Sequence, residues 1–145
     1  MLRCLPAVAA WLSLGIVHAE AADSAAVRLA YSYMSRDMTT CTVFYMLSAR
    51  CLGKDNPELS EQIEKAASVM ANLAVLTGKH AGLKDDALVA LTNNQMARLQ
   101  AQNGRDCANI SVLLDRYGES CKALARHPQA AFQRVLTEVN GDKPQ

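Results

Sequence analysis

The residues best able to do chemistry in this 145-residue chain are its cysteines, and four of the five form two wide pairs, Cys41 with Cys51 and Cys107 with Cys121. Thiols form disulfides, bind metals or carry out redox exchange, and spacing discriminates among these roles. The chain has no Cys-x-x-Cys for thioredoxin-like exchange and no Cys-x-x-Cys-His for haem attachment. A zinc site would show closer ligands with histidines nearby. Structural disulfides are the expected chemistry, and they imply an oxidising compartment.

Two methionines suggest a second chemistry. Met34 and Met38 are spaced i, i+4 and share one helix face, and thioethers can hold copper(I). Methionine also fills irregular gaps in apolar cores, which is the preferred reading, so no metal site is expected and Met34 with Met38 is kept as the alternative. His80 and His127 have no carboxylate or hydroxyl partner at a recognisable spacing. Asp85 and Asp86 are adjacent, so on a helix they point about 100° apart and do not converge on one substrate. They suit the positive end of a helix dipole instead. The chain has no glycine-rich phosphate loop, no Gly-x-Ser-x-Gly and no His-Glu-x-x-His. No enzyme and no cofactor are expected.

The N-terminus is expected to be a signal peptide. Arg3 precedes an apolar stretch from Leu5 to Val17, and Val17-His18-Ala19 places small residues at the minus-three and minus-one positions of a cleavage site. The stretch is shorter than the roughly 20 residues that span a bilayer. Residues 1–19 are therefore expected to leave, taking Cys4 and Trp11 with them. Residues 20–145 should then form a single helical domain, periplasmic or secreted, with no stable membrane insertion. Of the 15 basic residues only Arg3 would be lost, leaving 14 against 14 acidic ones. That balance argues against nucleic acid as a partner.

Helices must position the four cysteines, because Ala, Leu and Met are plentiful, aromatics are few, and no period-two alternation marks a strand. The expected elements are a short helix from Ala25 to Met34, continuous or not with a second from Ser35 to Leu52 that Gly53 ends. A third helix starts at Pro57 with Asn56 as its cap and stops at Gly78 or Gly82. Its apolar stripe is Leu59, Ile63, Ala66, Met70, Leu73 and Thr77. A fourth helix runs from Asp85 to Asn103. A fifth is capped by Asp106, with the stripe Ile110, Leu113, Tyr117, Cys121 and Leu124. His127-Pro128 breaks it, and a sixth covers Gln129 to Val139. The fold class is all-α, a small up-and-down bundle of about five to six helices.

Helix geometry then restricts the pairing. Cys41 and Cys51 lie about 15 Å apart along one helix and Cys107 and Cys121 about 21 Å along another. A disulfide requires Cα atoms within about 7 Å, so neither pair closes on itself. Four cysteines allow three connectivities. Antiparallel helices favour Cys41–Cys121 with Cys51–Cys107, with Ser48, Ser111 and Gly118 as small residues between the bridges. The axial mismatch of about 6 Å would be absorbed at Cys107, at a helix start.

The segment Thr39 to Leu47 is apolar on more than one face. It reads as the central buried helix, or as one that presents Phe44, Tyr45 and Met46 to a partner. The function expected is a protein-interaction module (immunity factor, inhibitor, adaptor or chaperone-like binder) with another protein as partner, and the Ala-rich leader and chain make the bacterial envelope its expected setting. A small-ligand or copper(I) carrier is the alternative.

Overall fold

A computed structural model describes residues 13–54 and 56–141, and side chains from residue 24 onward except Arg105. Most of the expected leader, including Arg3, Cys4 and Trp11, lies outside the described residues, as does Asp55 in the first turn.

Five α-helices make up the fold: α1 (Ser13–Leu52), α2 (Pro57–His80), α3 (Asp85–Asn103), α4 (Ile110–Arg126) and α5 (Pro128–Gly141). Among the described residues there are no strands, and no helix is long and apolar enough to cross a membrane. The two helices expected between Ala25 and Leu52 are one. No glycine or proline interrupts that stretch, and Ser35 at the expected junction does not cap. Its hydroxyl instead donates across to the Ala74 carbonyl at 2.9 Å. The sixth expected helix is thus α5, which opens at Pro128 after His127 caps α4.

The helix ends follow local chemistry. Asn56 accepts a hydrogen bond from the Leu59 amide at 3.0 Å with Pro57 in the first turn. Gly82, at φ +83°, ends α2, and the Leu83 amide donates back to the Gly78 carbonyl at 2.9 Å. Gly78 itself stays helical and buried, because a side chain there would collide with Leu88 and approach the Ser35 hydroxyl to 2.8 Å. The Asp106 cap is a correction. Asp106 lies in a 3-10 turn (Arg105–Cys107) with left-handed backbone, and α4 starts only at Ile110.

α1 is the hub and touches every other helix. Between Met38 and Ala49, nine residues lie buried on several sides of it: Met38, Thr39, Cys41, Thr42, Val43, Phe44, Leu47, Ser48 and Ala49. Three threonines can be tolerated in or beside such a core because their hydroxyls bond to carbonyls one turn back: Thr39 to Ser35 at 2.7 Å, Thr42 to Met38 at 2.9 Å and Thr77 to Leu73 at 2.7 Å. α2 lies antiparallel to α1, with Ser60 level with Ala49, and Thr77 level with Met38. α3 runs back up, from Leu88 against Gly78 to Asn103 beside Cys51. α4 descends, and α5 folds over α1 where Phe132 meets Tyr31 at 4.6 Å between ring centroids.

Two disulfides staple α1 to the α4 region. Cys41–Cys121 has its Cα atoms 5.3 Å apart and Cys51–Cys107 5.6 Å. This is the antiparallel pairing that helix geometry favours. The axial mismatch is absorbed where expected: Cys107 sits before α4, at φ +65°, next to Asp106 at φ +55°. The small-residue expectation holds on one side only. Ser48 is buried, but Ser111 is exposed and a Cβ added at Gly118 would meet nothing within 4 Å. α1 alone supplies the close approach.

Candidate functional site

A cleft of about 620 Å³ lies over the Cys41–Cys121 bridge. Helical spacing explains part of its lining. Asp37 and Thr40 fall one turn and one residue before Cys41, and Tyr117, Ser120 and Leu124 flank Cys121 in the same way. The bridge fixes these two faces against each other. α3 contributes Gln95 and Arg98, and α5 contributes Ala131, Arg134, Val135 and Glu138.

Charge is the cleft's distinguishing property. Four arginines line it, each from a different helix: Arg36 on α1, Arg98 on α3, Arg116 on α4 and Arg134 on α5. The acidic residues are Asp37 and Glu138. Arg36 is committed to its neighbours, 3.3 Å from the Asp37 carboxylate and 5.1 Å from the centre of the Tyr33 ring. Arg98, Arg116 and Arg134 form no ion pair among the described residues. Met34, Leu124, Ala131 and Val135 give the cleft apolar lining. The amide oxygen of Gln95 is buried there without a hydrogen-bond donor. Tyr117 is engaged elsewhere: its hydroxyl donates to Gln102 at 3.2 Å.

The residues singled out from sequence do not gather at one place. Phe44 is in the core, 6.1 Å from the Tyr117 ring, Tyr45 is half-buried, and Met46 is exposed. Burial pushes the Tyr45 phenol above its ordinary pKa, with the charge of Arg126 opposing. Met34 and Met38 are 2% and 1% exposed in the core, and the sulfur of Met38 faces the Thr77 hydroxyl at 3.8 Å. His80 stacks on Tyr31 with centroids 5.0 Å apart, and His127 caps α4. Among the described residues no three His, Cys, Asp or Glu side chains come together as a metal site. Asp85 is 3.6 Å from Lys79, and Asp86 accepts from the Ala87 amide, so both serve the start of α3.

A second feature is the outer face of α2. Val69, Val75 and Leu76 are 55%, 43% and 53% exposed, on a helix that packs against α1 by its opposite side. Of the stripe expected from periodicity, Met70 and Thr77 are buried, Ile63, Ala66 and Leu73 are half-buried and Leu59 is exposed. The buried face is completed by Ala67, Ala74 and Gly78, whose small size lets them lie close to the neighbouring helices. In comparisons with protein-family models, curated proteins and solved structures, nothing matched the chain.

Proposed function

We propose that this chain is a small exported interaction protein of the bacterial envelope, acting on another protein as an immunity factor, inhibitor, adaptor or chaperone-like binder. The observation that carries this reading is the outer face of α2. Three aliphatic side chains within eight residues stand about half exposed where an amphipathic helix ordinarily carries polar groups. Exposed apolar patches on small proteins commonly mark contact surfaces. Two disulfides fit an oxidising compartment, and the expected leader supplies a route to it.

A photo-crosslinking residue at Asn72, between Val69 and Leu76, should give one discrete adduct with another polypeptide in cells that export the protein. The same residue at Lys122 should not. Val69→Glu with Leu76→Glu should remove the adduct without lowering the melting temperature. Absence of an adduct at Asn72, or the same adducts at both positions, would contradict the reading. The cleft over the Cys41–Cys121 bridge favours a second reading, a carrier of a small ligand held between helices.

A further inference from the structure

We propose that this cleft binds a small organic anion bearing two or more carboxylate or phosphate groups. The inference rests on the carrier reading and does not involve the α2 face. Arginines from four helices line one concavity with their side chains exposed, and three of them have no carboxylate partner among the described residues. Planar guanidinium forks match carboxylate and phosphate oxygens in bidentate geometry. The cleft volume of about 620 Å³ falls in the range of small-molecule sites. Met34, Leu124, Ala131 and Val135 offer apolar surface to a carbon skeleton.

The disulfide gives the site its rigidity. Arg36 on α1 and Arg116 on α4 lie five residues before Cys41 and Cys121 respectively, so the bridge holds their two helices in register. The charge pattern favours a small anion over a polyanionic macromolecule. The chain carries 15 basic and 14 acidic residues, so it has no overall basic excess to attract a polyanion.

Isothermal titration of the intact, disulfide-bonded protein tests this. The probes are citrate for the carboxylate source and pyrophosphate for the phosphate source, with acetate and inorganic phosphate as single-group controls. At least one probe should bind one-to-one, about tenfold or more tighter than its control, and Arg98→Gln with Arg116→Gln should weaken it by about tenfold or more. The melting temperature of the unliganded double variant should be unchanged, since both side chains are exposed. The proposal is overturned if neither probe binds, or if wild type and variant bind equally. Binding of a poly-glutamate peptide without either small probe would also overturn it and make the cleft a protein-contact surface. Native mass spectrometry separates this failure from failure of the carrier reading. A neutral molecule retained by both wild type and variant would leave the carrier reading standing and remove the anion proposal. No small molecule carried and none bound would remove both.

Discussion

Cutting the two bridges one at a time should expose a difference between them that loop length does not supply. The bridges are nested. With either intact, removing the other releases the loop formed by the steps from Cys41 to Cys51 and from Cys107 to Cys121, which is 24 residues, the difference between separations of 80 and 56. A loop of that size is worth about 3.5 kcal/mol by the loop-entropy relation, nearly the same for both bridges. Their surroundings differ. Cys41 and Cys121 are 4% and 1% exposed and belong to the core, so alanine there also loses packing, about 1–2 kcal/mol. Cys51 and Cys107 are only half-buried. Asp106 and Cys107 hold left-handed backbone, at φ +55° and +65°, which costs about 1–3 kcal/mol per residue and can relax once the bridge is gone. Cys41→Ala with Cys121→Ala should therefore cost about 4.5–5.5 kcal/mol, and Cys51→Ala with Cys107→Ala at most about 1.5 kcal/mol. Urea unfolding of the two double variants, followed by far-ultraviolet circular dichroism, measures both. Equal costs, or a larger cost for the inner bridge at Cys51 and Cys107, would refute the strain argument.

Other outcomes follow from single positions. Gly78→Ala should destabilise by about 1–3 kcal/mol through overpacking against Leu88 and Ser35, whereas Gly118→Ala, which meets nothing within 4 Å, should stabilise α4 by about 0.5–1 kcal/mol; thermal melts compare them. Met34→Leu with Met38→Leu should leave the fold intact at a cost under about 1.5 kcal/mol. Copper(I) binding by the wild type that this variant loses would move the copper-carrier reading ahead of the core-filling one. Tyr45 should ionise above the ordinary phenol range because burial disfavours phenolate. The unfolded state then ionises first, so its contribution is fully present below the unfolded pKa and is lost as pH rises through the alkaline range; Tyr45→Phe should flatten that part of the stability profile.

The bridge pattern was legible in the sequence because two simple constraints suffice. Axial rise forbids closure within a helix, and alternating helices bring Cys41 to Cys121 and Cys51 to Cys107. Asn56 before Pro57 and the stripe through Met70 and Thr77 were legible for the same reason, since each is a local pattern with one physical reading. Asp106 was misread because its type suits a cap, while its backbone is set by the reach of Cys107 to Cys51. Gly118 does not let the helices approach as expected, because its position relative to Cys121 does not set what lies beside it, and the space there is open. The arginine cleft left no pattern to find. Arg36, Arg98, Arg116 and Arg134 sit on four helices at unrelated spacings, and only tertiary packing brings them to one cleft.

The central claim is that two nested bridges hold α1 antiparallel to α4, and the proposal of export rests on them. Non-reducing peptide mapping of material recovered from the periplasm or medium, with free thiols alkylated at harvest, tests it most directly. The account predicts a Cys41–Cys121 peptide, a Cys51–Cys107 peptide, no alkylated cysteine, and a mature chain beginning near Glu20. A Cys41–Cys107 peptide, a bridge within either pair, or recovery only as full-length protein with free thiols would contradict it.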